Sequence, residues 1–590
     1  MDAEIRTLGK IFQGDIRFLV PIFQRPYVWS QEEQWDPLWD DVESLAEQLL
    51  QTDEGKITPH FLGAIVVAQQ HSPTGDIEIR HVIDGQQRLT TLQLLIDAVE
   101  EVVRHHGSDR DSKRLRKLVL NDVDLFEGDD VFKVWPTNVD QDAFRAAMDD
   151  DAEVPDDYLD RNIAQAHNVF KSRAVGWAET DSDPDKCRKK LEALATVLRD
   201  YLQMAIIDLT PDDNDQAIFE TLNARGTPLL ASDLIKNQLL RQATDQGLDA
   251  ESLYEKHWIN FETEDWREEI ALGRIYWPRL DVFIYRWMTM EVARDVPTQR
   301  LFSEFLNIAK HKDVGPEQLM AELARHGSVY QRLNQFPEDS TPTGRFFYRW
   351  RTTQANVLSP LLMWMYANES ELGQEQLSQS LTVLESWLIR RMVCRSSTKG
   401  HNKFVHSLLG DLKNGSLNSF SSWLAARLDD ASATGSEWPS DAQFKAAMLE
   451  NPLYRQLSRG RLRMLLEALE DKLRESSGKT EDFCPKDLTI EHVMPQHWHT
   501  NWPLPDGTSE EEIERREVVL QTLGNLTLVN QKLNPSLSNS AWSEKKPALI
   551  EHSVLSLKND IVAEDDWQEE QIVSRSERLA EIACELWPRP

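Results

Sequence analysis

"IEIRHVIDGQQRLTTLQLLIDAVEEVVRHH", residues 77–106, changes period in mid-course, and that change decides the fold class. As far as Val82-Ile83 the pattern alternates as a strand does. Beyond Gly85, Leu89, Leu92, Leu95, Ile96 and Val99 recur three and four apart, the spacing of one helix face. Strand, Asp-Gly turn and helix in succession predict a mixed α/β unit. Upstream, "IRFLVPIF" (16–23) and "HFLGAIVVAQQ" (60–70) are short, apolar and β-branched, as strands should be.

From about 155 to 480 the pattern becomes mostly helical. It runs through "DDYLDRNIAQAHNVFKSRAVGWAE" (156–179), "DQAIFETLNARG" (215–226), "SDLIKNQLLRQ" (232–242) and "SRGRLRMLLEALEDKLRE" (458–475). "ESSGKTEDFCPKD" (475–487) reads as a linker or loop. Two strand-like runs follow, "LTIEHVMP" (488–495) and "LGNLTLVN" (523–530), then a helical "SAWSEKKPALIEHSVLSL" (540–557). The stretch from 559 reads as an acidic helix with a solvated outer face. The expectation is a multidomain α+β chain, predominantly helical, divided at 1–240 (α/β core about 1–105), 241–474 and 475–590.

With 590 residues the chain exceeds one hydrophobic core, and 40% hydrophobic residues with 19 Trp exclude wholesale disorder. There is neither a membrane-length apolar run nor a signal-peptide layout in "MDAEIRTLGKIF", which predicts a cytoplasmic protein with no membrane partner. Four scattered Cys argue against a disulfide framework or a CxxC zinc site. The net charge of −34 opposes simple nucleic-acid binding, which is driven by cations on phosphates. The charge is uneven, however: residues 380–480 hold 15 Lys and Arg against 11 Asp and Glu.

At the Asp84 turn, free N–H groups of the helix start favour an anion such as phosphate. Gln86, Gln87 and Arg88 add donors, and Asp84 could orient a donor or a metal-bound water. In isolation an ordinary Asp-Gly turn is the simpler reading. The usual phosphate loop is absent, since Leu473 stands where the first Gly before "GKT" (478–480) would be. Two other stretches shift the balance, "PIFQRPYVWS" (21–30) and "IFETLNARGTPLLASDLIKN" (218–237). Together with "DGQQR" and in this order, they resemble the N-terminal domain of the GmrSD family of modification-dependent (type IV) restriction proteins. The resemblance implies a ParB/sulfiredoxin-like domain that binds and hydrolyses a nucleoside triphosphate (GTP, ATP or UTP). Carried over by motif, the nucleotide-binding residues would be Gln24, Arg25, Asp84, Gly85, Gln86, Gln87, Arg88, Asn223, Asp233 and Lys236.

"TIEHVMPQHWHTNW" (489–502) crowds His492, His497 and His499 behind Glu491. As a zinc site it lacks a fourth ligand at suitable spacing, and strand alternation would turn Glu491 and His492 to opposite faces. Phosphodiester cleavage needs less: a base for water, a hard divalent metal and oxygen ligands. "LGNLTLVNQKLNPSLSNSAWSEKK" (523–546) supplies Asn525, Asn530, Asn534 and Asn539. Glu491-His492-Val493-Met494-Pro495, Gly524 to Leu528, Leu533-Asn534 and Ser538-Asn539 through Lys545 resemble the HNH (ββα-metal) endonuclease domain that closes GmrSD-family chains. The resemblance implies His492 as general base, Asn525 bracing the ββ loop, and Glu491 with Asn534 (or Asn539) holding Mg²⁺ or Mn²⁺. His497 and His499 fall outside the motif, and Trp498 and Trp502 read as core or loop anchors. Arg390, Arg391 and Lys545 are candidates for DNA contact.

The implied protein is a modification-dependent DNA endonuclease or nickase of anti-phage defence, regulated by nucleoside triphosphate. Its partners would be double-stranded phage DNA bearing a phosphorothioate or modified cytosine, nucleotide and, left open, a homo-oligomer. The alternatives are an NTP-dependent regulatory or partner-binding defence protein with an inactive HNH domain, and an NTPase acting through its N-domain.

Overall fold

The computed structural model describes all residues except 1, 22, 23, 25, 52–56, 70–76, 150–153, 181, 182, 210–229, 274, 413–418, 431–435, 479–483, 486, 505–507, 531–538 and 590. It is predominantly helical and divides into two compact units, Met1–Lys256 and His257–Pro590. Among the described residues no helix is long and apolar enough to cross a membrane.

The first unit is built on a six-stranded mixed sheet of β1 (Asp2–Thr7), β2 (Ile16–Leu19), β3 (His60–Gln69), β4 (Glu78–Asp84), β5 (Val134–Trp135) and β6 (Leu202–Leu209). Their order across the sheet is β1-β6-β3-β4-β2-β5. Of the predicted strands at 16–23 and 60–70, the first appears as β2 over Ile16–Leu19 only and the second as β3, with 22, 23 and 70 outside the described residues. The strand–turn–helix at Asp84 appears as β4 followed by the helix Gln86–His106. That helix is buried along nearly its whole length, because three helices (Asp109–Val119, Asn162–Ala178, Pro184–Thr196) pack against it. β6 was not expected: "LQMAIIDL" sits inside a stretch that reads as helical, yet it forms an inner strand between β1 and β3. A short buried apolar run has no periodicity that separates strand from helix.

Gly85 permits the turn. It adopts φ +89°, and a Cβ there would stand 2.6 Å from Cγ2 of Ile65 on β3. Only glycine combines that backbone with that contact.

The second unit carries a hairpin of β7 (Glu269–Leu272) and β8 (Ile275–Pro278), an array of helices, and the antiparallel pair β9 (Leu488–His492) and β10 (Leu526–Asn530). The β7–β8 hairpin, like β6, interrupts a region that reads as helical. One core joins Ile389, Phe444 and Met464 to Leu488, Leu526 and Leu579. The segment expected as helical middle and the segment expected as C-terminal domain therefore share their interior. The stretch from 559, expected as a solvated outer face, needs correction. Its helix Glu569–Leu586 buries Ile572, Arg575, Ser576, Leu579, Ala580 and Ala583, because the helices Asp441–Glu450 and Arg459–Ser476 and the turn before β10 lie against that stripe.

Gly85→Ala should destabilise the first unit by about 2–4 kcal/mol through the combined backbone and steric strain. The expected readout is a drop of several degrees in the corresponding thermal transition, at roughly 2–4 °C per kcal/mol for a unit of this size. An unchanged transition would refute the tight turn.

Candidate active site

β9 and β10 pair with His492 opposite Leu526 and Glu491 opposite Thr527. The turn before β10 is closed by Asn525, whose side chain is fully buried. Its amide donates to the carbonyls of Met494 (2.8 Å) and Leu520 (3.0 Å), while its oxygen accepts from Met494 N (2.8 Å) and Trp567 Nε1 (3.2 Å). The loop leaving β9 is thus tied to the turn entering β10. The helix Glu569–Leu586 reinforces this: Arg575 donates to the carbonyls of Gly524 (2.6 Å) and Leu526 (2.8 Å), and Ser576 Oγ accepts from Gly524 N (2.9 Å). A Cβ at residue 524 would collide with the Ile572 carbonyl oxygen, which explains the glycine.

Strand alternation sends the two side chains that end β9 to opposite sides. Glu491 meets the helix Trp542–His552, where Lys545 Nζ lies 2.8 Å from Glu491 Oε1 and donates to the His492 carbonyl at 2.6 Å. Both partners are buried, which pushes the carboxyl pKa up and the ammonium pKa down against their mutual attraction. Lys545, expected to contact DNA, is only 1% exposed and is committed to this pair.

His492 faces the other side. Its Nε2 lies 3.4 Å from Gln521 Oε1, and its ring packs edge to face with Tyr454 at 4.2 Å between centroids and 71°. Burial lowers its pKa to about 4, aided by Lys545, Arg459 and Arg455 and opposed by the Gln521 contact. The imidazole is therefore neutral near pH 7, the form in which it accepts a proton. Gln521 and Tyr454 escape a sequence reading because neither residue type names a chemistry by itself and both reach His492 only through the fold.

Asn534, the expected second metal ligand, lies outside the described residues; Asn530 and Asn539 are exposed. His497 and His499 are exposed, with His499 stacked on Trp498 at 3.9 Å, whereas Trp498 and Trp502 are buried anchors. Among the described residues no group of three His, Cys, Asp or Glu side chains converges to hold a metal. The donors present fit a hard divalent cation in type: Glu491 offers carboxylate oxygen, and the ammonium of Lys545 competes for it.

In the first unit the structure links two of the three motifs. Gln24 donates to the carbonyls of Val82 and Ile83, the latter at 3.2 Å. Gln87 accepts from Val28 N (2.8 Å) and donates to the Pro26 carbonyl (3.0 Å). Arg88 donates to the Ala64 carbonyl at 2.6 Å and covers Gly63. These side chains assemble the main chain around the turn, with Asp84 ending β4, Gly85 capping the helix and Gln86 buried at its start. Asp233 and Lys236 lie 4.0 Å apart on the buried face of the helix Ala231–Asp245. Arg25 and Asn223 lie outside the described residues.

Arg390 and Arg391 also need correction. Arg390 is fully buried, donating to the carbonyls of Trp587 (2.7 Å) and Pro439 (3.1 Å) and pairing with Asp441 at 2.6 Å. Arg391 is 3% exposed and donates to the carbonyls of Glu437 and Ser397. Both guanidiniums stitch loops to the helix Glu369–Val393 and present no cation to DNA.

The His492 pKa of about 4 in the folded chain returns to 6.5 on unfolding, so the unfolded chain binds more protons between those values. This contribution to stability is complete above pH 6.5 and is lost as pH falls toward 4. Denaturant unfolding at a series of pH values, without divalent metal, should show a shallower acid slope for His492→Gln, by at most about 1.4 kcal/mol per pH unit. Identical slopes would contradict the neutral, buried imidazole.

No curated protein matches the chain as a relative. Residues 8–240 match the family model described as the GmrSD restriction endonuclease N-terminal domain, and residues 438–582 match the GmrSD restriction endonuclease C-terminal domain. The first match contains the Gln24, Asp84–Arg88 and Lys236 motifs, and the second contains β9, β10 and the side chains around His492. With both domains on one polypeptide, the chain belongs to the GmrSD restriction endonuclease family.

Proposed function

We propose that this restriction nuclease is a modification-dependent DNA endonuclease or nickase of cytoplasmic anti-phage defence. Its chemistry is of the HNH type at His492, and it is controlled by a nucleoside triphosphate bound in the first unit. The observation that carries the nuclease assignment is the Asn525-closed turn, which holds a neutral His492 at the end of β9 with Glu491 beside it. The antiparallel β9 and β10, with the helix Glu510–Val519 between them and the helix Trp542–His552 after, are compatible with the ββα element of an HNH domain.

In this reading the His492 imidazole takes a proton from water, and the water oxygen bonds to phosphorus as the opposite P–O bond breaks. Gln521 and the Tyr454 ring hold the imidazole in one orientation. Mg²⁺ or Mn²⁺, held by Glu491 and Asn534, would neutralise charge on the scissile phosphate and leaving oxygen. Asn525 positions the base without touching the substrate.

The nucleotide assignment is supported by the built turn at Gly85. Gln24, Gln87 and Arg88 shape a helix start whose N–H groups suit phosphate, on a mixed sheet compatible with the ParB-like domain implied by the motifs. One observation favours a second reading, a nucleotide-dependent regulatory protein with an inactive HNH domain: Lys545 already neutralises the carboxylate that a metal would need.

The test is cleavage of phosphorothioate, cytosine-modified and unmodified duplexes with Mg²⁺ or Mn²⁺, with and without GTP, ATP or UTP. Wild type should cut one modified duplex in a metal-dependent manner. His492→Ala should lose at least about 10²-fold in rate, the scale of a general base, while hydrolysing nucleotide normally. Cleavage retained by His492→Ala would overturn the nuclease site, and absence of cleavage by wild type on every duplex would favour the second reading. Arg88→Ala should lose nucleotide hydrolysis; normal hydrolysis in that variant would remove the turn from the nucleotide site.

A further inference from the structure

The ring that packs on His492 also carries a cation. Arg459 lays its guanidinium over Tyr454 at 3.4 Å from the ring centroid and donates to the Tyr454 carbonyl, while the Tyr454 and His492 rings meet edge to face. Tyr454 is itself anchored to the nuclease turn, since its N–H donates to the Gln521 carbonyl at 3.1 Å and Gln521 touches His492. The next residue, Arg455, has a side chain 58% exposed and reaches Glu517 Oε2 at 3.4 Å, a weak surface pair. Among the described residues no carboxylate pairs with Arg459, and the first turn of the helix it opens, Arg459–Ser476, holds no acid. Arg459 stands at the positive end of that helix without a local carboxylate, which disfavours the fold slightly and suits an external anion. In a chain of net charge −34, two exposed guanidiniums, one of them a single ring away from His492, form a local exception.

We propose that Arg459, with Arg455 beside it, is a substrate-positioning residue that grips the DNA backbone next to the scissile phosphate and sets it against His492. Guanidinium suits phosphate oxygens bidentately, and the stacked Tyr454 pre-orders Arg459 so that little freedom is lost on binding. A fixed path from guanidinium to imidazole through a single ring makes the grip register-setting. The loss expected from removing it is therefore in substrate binding first. This inference rests on the nuclease reading of His492, and its test separates the two.

The experiment uses the full chain carrying His492→Ala, so that DNA remains intact, and measures duplex binding by fluorescence anisotropy at several salt concentrations. Adding Arg459→Ala should weaken binding about 5- to 50-fold and reduce the slope of log K against log salt by about one. Arg455→Ala, an exposed side chain whose removal leaves the fold intact, should show a smaller loss of the same kind. Arg459→Lys should restore the salt slope but only part of the affinity, since an ammonium does not bind phosphate bidentately. Arg188→Ala, exposed in the first unit, controls for net charge and should change neither. In the otherwise wild-type chain, Arg459→Ala should raise KM more than it lowers kcat. Unchanged affinity and salt slope in both Arg459→Ala and Arg455→Ala would overturn the proposal, whether or not the chain cleaves. Failure of the nuclease reading alone would appear as loss of cleavage in every wild-type assay with these binding effects intact.

Discussion

The Asn525 carboxamide donates two hydrogen bonds and accepts two in a fully buried setting, and the geometry at the end of β9 descends from it. Met494 is held by both its N–H and its carbonyl, so the chain cannot leave β9 along any other path. That constraint fixes where the strand stops, and hence which side of the pair His492 and Glu491 each face. A buried amide with every hydrogen-bonding site used rigidifies its surroundings, whereas any neighbour left unpaired is penalised by about 1–3 kcal/mol. The helix Glu569–Leu586 secures the same turn from behind through Arg575, whose burial lowers its pKa to about 10 without removing its charge at neutral pH. Far along the chain, a helix with an acidic exterior thus serves the turn from which the candidate base is presented.

Electrostatics around that turn follow from the alternation on β9. On one side Glu491 and Lys545 neutralise each other inside the protein; on the other His492 sits neutral among Tyr454, Gln521 and the cations of 455 and 459. On the proposed reading, a neutral imidazole flanked by positive charge suits a polyanionic substrate, in a chain whose net charge is −34.

Legibility in the sequence depended on how local the determining physics was. The strand–turn–helix at 77–106 could be read because its period switches at Gly85, and β9 and β10 could be read because they are short, apolar and bounded by Pro495 and Gly524. β6 and the β7–β8 hairpin could not: β6 is a short run set between helical patterns, and β7 and β8 are four residues each, too short for a period to show. Asn525 was singled out by a motif resemblance, and its amide ties the turn before β10 to the loop that leaves β9. Gln521 and Tyr454 had no such motif, and their contacts with His492 span 29 and 38 positions. Arg390, Arg391 and Lys545 misled for the converse reason: cationic residues read as surface groups, yet each is buried where carbonyls or a carboxylate satisfy it. The helix Glu569–Leu586 hid its packed stripe beneath an acidic composition.

Anomalous scattering from Mn²⁺ in crystals of the His492→Ala chain bound to duplex DNA would test the nuclease account most directly. The account predicts a Mn²⁺ peak within coordination distance of a Glu491 carboxylate oxygen and of a DNA phosphate, with Lys545 drawn off that oxygen. A Glu491–Lys545 pair left intact, with manganese bound elsewhere on the protein, would contradict it.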